Sequence, residues 1–314
     1  MTEIKQNNQK IGDYEVATNR RLIVTHRAPD LDAIMSTWLL KRFDSQDHAD
    51  AKIAFVEAGT KLSSDEAEAL GFRETQVTHV DTGLGRFDHH DPVRGQQFTS
   101  AAHQVFLYLQ KAYPDLASDQ ALAIMVDFGR EVDHFRQIYW PESESTRYLF
   151  MLPSILQGMD LDLRHDDLYQ VEFGMECLDY IYAAMKNYVA AKKTIEEESR
   201  VFALPDGGQA LAIETGNDEV MHLAQKMGYE LVMKKDPTSG HVRIKVRPDS
   251  DYQLNEVAEV VMARDQVGTW FNHPSGRMLL NGSSKSTHIP SPLSLAELQE
   301  MIVGAIKKGR NGEG

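Results

Sequence analysis

Cysteine is almost absent from this chain, which has only Cys177 among its 314 residues. A single thiol excludes a disulfide framework within the chain and fits a reducing compartment. The sequence also lacks any run of about 18 apolar residues, so we predict no membrane-spanning helix. Its opening stretch, MTEIKQNNQKIGDYE, lacks the apolar region that is typical of a signal peptide. Together these absences favour a cytoplasmic protein without a membrane partner.

Basic residues are also scarce, because 33 Lys and Arg stand against 47 Asp and Glu, for a net charge of −14. Residues 1–190 carry 18 basic against 30 acidic residues, a net charge of −12, together with eight of the twelve histidines. An acidic surface disfavours long duplex nucleic acid, whose binding depends on neutralised phosphates. It still allows a short anion in a locally basic cleft, and it is compatible with a site for divalent cations. Acidity alone usually serves solubility.

Short apolar runs that predict buried strands alternate with helical patterns in the first half of the chain. The strand pattern of Arg21–His26 precedes the helical pattern of Asp32–Phe43, and similar units follow. Repeated units of this kind predict an α/β fold with a parallel sheet. A hydrophobic content of 42% over this length is enough for about two domains. We predict a parallel-sheet domain over 1–166, a long helical linker over 167–203 and a smaller α/β C-terminal domain over 204–314.

Polar residues cluster where the predicted strands of the first domain end. In open α/β sheets, ligands bind beyond the carboxyl ends of the strands, so we expect these residues to share one cleft. Carboxylates with histidines suit Mn²⁺ or Mg²⁺, and two such ions about 3.5–4 Å apart can hold a hydroxide and clamp a phosphoryl group. The residues are His26, Asp30 and Asp32 after the first strand, Asp81 after the third, and Asp88, His89 and His90 in the next loop.

Each of these stretches also allows an interpretation without a metal. Asp32 could cap the helix that follows it. Asp81 could belong to a simple turn, and Asp88-His89-His90 could be a polar loop. The occurrence of all three stretches beyond strands of one predicted sheet favours the metal site.

The stretches THRAPDLDAIMS, HVDTG and FDHH, in that order within residues 21–90, resemble motifs I, II and III of the DHH phosphoesterase superfamily. That superfamily includes RecJ-type exonucleases, nano-RNases, cyclic-dinucleotide phosphodiesterases, exopolyphosphatases and family II inorganic pyrophosphatases. The helical stretch TSAAHQVF, from Thr99, also resembles the helix that follows the DHH motif. The resemblance implies a DHH catalytic domain that hydrolyses phosphate esters or anhydrides with bound metal ions.

The resemblance also implies a metal-binding role for five of these residues. His26 and Asp30 would bind a first Mn²⁺, and Asp32 and His89 would bind a second. Asp81 would bridge the two ions. Mg²⁺ or Co²⁺ could take the place of Mn²⁺.

Two further motif residues have implied catalytic roles, and two positions depart from the family. Asp88 would orient its neighbours, and His90 would contact the scissile phosphate or help to protonate the leaving group. Ala28 stands where the family usually has Asn, which can loosen the support of the site. The fourth motif, usually an Asp at the end of a helix, has two candidates, Asp127 and Asp133. Asp133 is favoured because it lies at the predicted helix end.

The C-terminal domain resembles a divergent DHH-associated domain. HVRIKVRPD resembles its substrate-facing strand, and FNHPSGRMLLNGSS resembles its glycine-histidine loop, although the usual GGGH is missing. Arg243, Lys245 and Arg247 alternate along the strand, which would place three cations on one face. With His273 they are candidates for binding the distal phosphate or base. A solvated strand edge is the alternative for the three cations.

The sequence therefore predicts a Mn²⁺-dependent phosphohydrolase with two ions in its active site. We expect it to act on short oligonucleotides or nucleotides, in the manner of an exonuclease of short strands, because the acidic surface disfavours long ones. The alternatives are an inorganic pyrophosphatase or exopolyphosphatase, and a non-catalytic nucleotide-binding sensor. The sequence leaves both a monomer and a homodimer open.

Overall fold

The chain divides into two compact units, residues 1–182 and residues 183–314. The boundary lies inside one long helix, so this helix contributes residues to both units. The predicted division treats most of that helix as a linker. The computed structural model describes residues 20–162, 164, 166–282 and 288–308.

The parallel sheet of the first unit consists of β1 (Leu22–His26), β2 (Lys52–Val56) and β3 (Val77–His79). The strand order is β2-β1-β3, with Val24 beside Ala54 on one side and His79 on the other. The residues of β1 from Leu22 to Thr25 are buried, as expected for a parallel strand that is covered on both faces. The predicted parallel sheet is therefore confirmed.

Local capping signals fix where the helices of the first unit begin. The side chain of Asp30 accepts hydrogen bonds from the N–H groups of Asp32 and Ala33 and starts the first helix, so the alternative cap Asp32 lies within the first turn instead. Ser63 and Glu66 form a capping box at the third helix. The helices are α1 (Leu31–Phe43), α2 (Ser45–His48), α3 (Ser64–Ala69), α4 (Ala101–Ala112), α5 (Gln120–Asp133), α6 (Leu152–Asp162) and α7 (Asp167–Glu198).

Helix α1 is the central helix of the first unit and packs against α4 and α5. Ile34, Trp38 and Leu39 are buried, as their helical spacing predicts. The first half of α7 also packs here, since the Trp38 indole N–H donates to Asp179 at 3.1 Å. Gly174 permits the close approach, because a Cβ at that position would lie 2.7 Å from Ile34 Cγ2. This packing holds the loop between β1 and α1 in place.

The second unit contains a mixed sheet. Its strands are β4 (Arg200–Ala203), β5 (Gln209–Glu214), β6 (Leu231–Lys235), β7 (Val242–Val246), β8 (Tyr252–Gln253), β9 (Phe271–Asn272), β10 (Met278–Leu280) and β11 (Lys307–Lys308). The sheet order is β4-β5-β6-β7-β10-β9, and β8 pairs separately with β11. Strand β5 runs parallel to β6, and the other neighbours in the six-stranded sheet are antiparallel.

Two expectations for this sheet need correction. Strand β4 precedes the predicted domain start at residue 204, because Arg200–Ala203 pairs with β5. The alternative that the basic strand is a solvated edge is wrong, because β7 lies between β6 and β10. Ser283 and Ser284 of the predicted loop lie outside the described residues.

Helices cover both faces of the six-stranded sheet. They are α8 (Glu219–Lys226), α9 (Asn255–Arg264) and α10 (Leu295–Ala305). Helices α9 and α10 pack on one face, where Val261 and Ile302 join Ile244 in one buried cluster. Helix α8 and the end of α7 pack on the other face, where Ile195 and Val232 share a second cluster. The predicted α/β class is therefore confirmed.

Among the described residues, no helix has the length and apolar character needed to cross a membrane.

Candidate metal centre

The carboxyl ends of β1 and β3 bring His26 and Asp81 together. His26 ends β1 and Asp81 follows β3 by two residues, so two adjacent parallel strands deliver both side chains to the same edge. Nε2 of His26 lies 3.3 Å from Oδ2 of Asp81 and 4.0 Å from Oδ1 of Asp30. We call these three residues the His26 group.

Three carboxylates lie close to the imidazole ring of His89. Its Nε2 lies 3.5 Å from Oδ1 of Asp81 and 3.6 Å from Oδ2 of Asp133. The same nitrogen lies 3.8 Å from Oδ2 of Asp32. We call His89, Asp32, Asp81 and Asp133 the His89 group. Asp81 therefore turns one oxygen towards each group, which is the arrangement that a carboxylate shared by two cations needs.

The two candidates for the fourth-motif residue lie on different sides of α5. Asp133 is the last residue of α5 and reaches His89. Asp127 is six residues earlier, its side chain is 62% exposed, and its Oδ1 lies 2.6 Å from Nη2 of Arg130. Six residues rotate a helix so that the two side chains point about 120° apart. The structure thus brings Asp133 to the centre and leaves Asp127 outside it.

Asp88 is fully buried and holds both its own loop and the ring of His90. Its Oδ1 accepts the backbone N–H of His90 at 3.0 Å and lies 2.8 Å from Nδ1 of the same residue. Its Oδ2 accepts the backbone N–H of Leu84 at 2.6 Å. His90 is 55% exposed at its side chain and lies 3.7 Å from Asp81, so it stands at the open side of the centre.

Asp32 also connects the metal centre to a second helix. Its Oδ2 accepts the N–H of Ala101 at 2.7 Å, and its Oδ1 accepts the N–H of Ala102 at 2.9 Å. Both donors lie in the first turn of α4, where unpaired N–H groups and the helix dipole favour a negative charge. Each carboxylate oxygen has a second lone pair, so these bonds are compatible with a cation ligand.

The motif I loop has an unusual backbone conformation at Ala28, where φ is +49°. Asn adopts this left-handed region more readily than other side chains, which gives a physical reason for the Asn that the family usually has there. In this chain α7 supports the loop, because Asp167 Oδ1 accepts the N–H of Ala28 at 3.0 Å. Gln170 donates from Nε2 to the carbonyl oxygen of Pro29, also at 3.0 Å.

The buried charges of the centre shift each other's protonation. Burial opposes the charged form of His26, but its hydrogen bonds to Asp81 and to the Arg27 carbonyl, with the charges of Asp81 and Asp30, together outweigh burial and raise its pKa to about 9. Burial acts in the same way on His89, and its contacts with Asp81 and Asp133 raise its pKa to about 9. Burial also raises the pKa of Asp133, to about 6. Asp81 is buried as well, yet its two histidine partners hold its pKa below the usual range. Protons on the histidines thus offset the carboxylate charges, a role that divalent cations can take over.

The donor set at this centre fits a hard divalent cation. Oδ1 of Asp81 and Nε2 of His89 are buried and have no hydrogen-bond partner among the residues that the structure describes. Buried polar atoms are ordinarily satisfied, so these two atoms mark a place that a cation could fill. Carboxylate oxygens with imidazole nitrogens suit Mn²⁺ or Mg²⁺.

His134 is close to the centre, although it is absent from the predicted ligand set. Ligand atoms of His89, Asp133 and His134 lie within 4.8 Å of one another. Nε2 of His134 lies 2.8 Å from the carbonyl oxygen of Thr99, so this nitrogen is used to hold the start of α4. Its position directly after Asp133, at the end of α5, is the sequence signal that could have found it.

The predicted substrate residues of the second unit are partly paired with nearby carboxylates. Nη1 of Arg243 lies 2.8 Å from Oδ2 of Asp218, and Nε of Arg247 lies 2.5 Å from Oδ1 of Asp249. Lys245 forms no ion pair with any described residue.

These cations share one face of the sheet with aromatic and apolar side chains. In the strand register Arg243 lies beside Leu280, and Leu280 lies beside Phe271. Phe271 is 47% exposed, and its ring centroid lies 6.2 Å from that of His273. The structure therefore brings the predicted strand and the predicted loop together within the second unit.

Comparisons with known proteins give likenesses in structure. No protein-family model matches the sequence, and no curated protein matches it. The chain is similar to the DHH domain of a member of a family of ribosomal proteins, with 12% identity, a TM-score of 0.31, and coverage of 91% of this chain and 86% of that one. It is similar to RecJ from Thermus thermophilus in complex with Mg²⁺, with 13% identity, a TM-score of 0.30, and coverage of 90% and 49%.

A further likeness is to the exonuclease RecJ bound to manganese, with 12% identity, a TM-score of 0.29, and coverage of 90% of this chain and 89% of that one. At such low TM-scores these likenesses define no activity for this chain, so the functional proposal depends on the side chains of the metal centre.

Proposed function

We propose that this chain is a phosphoesterase that depends on divalent cations, with Mn²⁺ as the ion of choice. The observation that carries the proposal is the division of the Asp81 carboxylate between the His26 group and the His89 group. Cations bound at the two groups would supply an activated water and neutralise the negative charge that develops on the phosphoryl group.

The pair of Asp88 and His90 would handle the leaving group. Oδ1 of Asp88 accepts a hydrogen bond from Nδ1 of His90 and so fixes the orientation of the imidazole ring. The other ring nitrogen, Nε2, makes no hydrogen bond within the described residues and can face the substrate. A protonated Nε2 could donate to the departing oxygen, as a general acid does.

We propose short oligonucleotides or nucleotides as the substrates. Support comes from the net charge of −12 over residues 1–190, which disfavours long strands. Support also comes from the basic and aromatic face of the second unit. On that face Arg243, Lys245, Arg247 and His273 remain the proposed contacts for the part of the substrate that is not hydrolysed. Lys245 is the first of them to test, because it forms no ion pair with any described residue.

A turnover assay with Mn²⁺ tests the proposal. Purified chain is offered a 5′-phosphorylated dinucleotide, short oligomers, pyrophosphate and polyphosphate, with Asp81→Asn as the inactive control. We expect hydrolysis of the dinucleotide and short oligomers. Exclusive turnover of pyrophosphate or polyphosphate would assign the alternative activity. Binding of nucleotides without turnover of any compound would contradict an enzymatic role and favour the sensor.

A further inference from the structure

The guanidinium groups of two arginines lie against one aromatic ring of the first unit. Cζ of Arg130 lies 4.4 Å from the ring centroid of Phe98, and Cζ of Arg136 lies 4.6 Å from it. The ring of His134 meets the same phenyl ring edge-on at 4.9 Å between centroids. We call Phe98, Arg130, Arg136 and His134 the Phe98 cluster.

The Phe98 cluster lies at the rim of the metal centre. His134 directly follows Asp133, and its ring centroid lies 6.2 Å from that of His89. A single ring, that of His134, therefore separates Phe98 from a member of the His89 group. Phe98 is 39% exposed and Arg136 is exposed, so solvent and ligands can reach this side.

The backbone turns sharply to bring Arg136 to this place. Phe135, between His134 and Arg136, has a φ of +53°, in the left-handed region that bulky side chains rarely adopt. Strained residues of this kind persist where the surrounding structure needs them, and they concentrate at functional sites. Here the strained residue directs the chain from the end of α5 to Arg136.

The positive charges of the cluster are only partly compensated. The two guanidinium carbons are no more than about 9 Å apart, because both lie close to one ring. Arg130 pairs with Asp127 through Nη2, and its buried Nε has no hydrogen-bond partner in the described ranges of the chain. Arg136 forms no ion pair within the described part of the chain. The exposed guanidinium group of Arg136, with unused donors and a second positive charge on the same ring, is suited to bind an anion such as a phosphate group.

We propose that Arg136 and Arg130, ordered on Phe98, bind a second phosphate group of the substrate, one that is not hydrolysed. The inference rests on the proposed phosphoesterase function and narrows its substrate class to compounds with at least two phosphate groups. A 5′-phosphorylated dinucleotide meets this requirement. A simple aryl phosphate does not, because its only phosphate is the scissile one.

The first test measures binding without turnover. The probe is a 5′-phosphorylated dinucleotide whose linkage contains a non-hydrolysable bridging methylene, titrated into Mn²⁺-loaded protein by calorimetry at several salt concentrations. We expect Arg136→Gln to weaken binding by roughly 10- to 100-fold, the effect of losing a charged hydrogen bond. The slope of the logarithm of the binding constant against the logarithm of the salt concentration should also fall by about one, which corresponds to one counterion fewer released. Arg136→Lys should retain part of the affinity, because it keeps the charge and loses the planar contact.

Arg147→Gln is the matched control. Arg147 also stacks on an aromatic ring of the first unit, with its Cζ 5.4 Å from the centroid of Tyr148, and it pairs with Glu142. It lies outside the Phe98 cluster, so its variant should bind the probe as the wild type does. Equal affinities of Arg136→Gln, Arg147→Gln and wild type would overturn the subsite, and so would failure of the wild type to bind the probe.

The second test separates the subsite from the proposed function. Arg136→Gln should lower kcat/KM for the dinucleotide by roughly 10- to 100-fold, while kcat/KM for an aryl phosphate changes by less than about threefold. Equal losses on both substrates would overturn the subsite and leave the phosphoesterase function standing. If the wild type binds the probe through Arg136 but hydrolyses neither substrate, the phosphoesterase function fails and the anion subsite stands.

Discussion

Nδ1 of His90 lies 2.8 Å from Oδ1 of Asp88, a carboxylate that is completely buried. This contact fixes the ring at the open side of the metal centre, and it leads to the first prediction. His90→Ala should lower kcat for a dinucleotide by about 10²- to 10⁴-fold, the usual contribution of a general acid. Hydrolysis of a nitrophenyl phosphate should change much less, because its leaving group departs without a proton. Comparable losses on the two substrates would show that His90 does not protonate the leaving group.

The second prediction concerns the shared carboxylate. Asp81→Asn should abolish turnover and reduce the bound Mn²⁺ from two ions per chain to at most one, because the bridging charge is lost. Asp81 has a φ of +54°, and Asn tolerates this conformation, so the fold should be preserved. Metal analysis after gel filtration measures the stoichiometry. A variant that still holds two ions and turns over normally would exclude the bridging role.

The third prediction compares the two candidates on α5. Asp133→Asn should weaken Mn²⁺ binding by at least about tenfold, since even the loss of an outer-shell partner has that effect. Asp127→Asn should leave the affinity unchanged, because the exposed Asp127 pairs with Arg130 and does not belong to the His26 group or the His89 group. Calorimetric titration of Mn²⁺ into both variants gives the answer. Equal affinities would remove Asp133 from the ligand set.

The fourth prediction is a release of protons when the metal binds. His26 and His89 have pKa values of about 9 in the metal-free protein, so both carry protons at pH 7.5. A cation must displace these protons, so Mn²⁺ binding should release at least about two protons at pH 7.5 and weaken as the pH falls. Calorimetry in buffers of different ionisation enthalpy measures the release. Binding without proton release at this pH would contradict the assignment.

The same pKa shifts extend the fourth prediction to the stability of the metal-free protein at different pH values. Both histidines have a folded pKa above the ordinary value of 6.5, so their protonation stabilises the fold below pH 6.5. That contribution should be lost as the pH rises through about 9. Urea unfolding in EDTA at pH 7 and at pH 9.5 measures the loss.

The fifth prediction concerns Ala28 in motif I. Ala28→Asn should raise the free energy of unfolding by about 0.5–1 kcal/mol, because the left-handed conformation costs most residues about 1–2 kcal/mol and Asn less. The matched control is Ala49→Asn, since Ala49 is exposed and has an ordinary helical φ of −53°. Urea unfolding of both variants in EDTA gives the two values. A variant at position 28 that gains nothing over the control would show that the loop does not strain this residue.

The first unit could be predicted well because its signals are local. The run from Leu22 to His26 is apolar enough to predict a buried strand, and the pair of Ser63 and Glu66 predicts the start of a helix. The rule that ligands bind at the carboxyl ends of parallel strands then placed His26 and Asp81 together, as the structure does. Their roles as metal ligands remain predictions.

Other features depend on contacts between distant segments, which no local pattern encodes. The order of the strands around β7 in the second sheet could not be read from the sequence, so the basic strand could be taken for an edge. Phe98 and Arg136 are 38 positions apart and belong to no motif, so only the folded chain shows that they touch. The hydrogen bond from the N–H of Ala101, at the start of α4, to Asp32 likewise joins residues 69 positions apart.

The helix α7 has a consequence for how the chain can be divided. Its early residues, such as Val171 and Leu178, are buried in the first unit, and its late residues, such as Ala191 and Ile195, belong to a buried cluster of the second. A helix propagates cheaply once it is nucleated, so folding of one unit should template the helical residues that the other unit needs. Expression of either unit as a fragment should therefore require the whole of Asp167–Glu198. A cut at residue 182 would deprive both halves of a preformed helix, and we expect such fragments to aggregate or to be degraded.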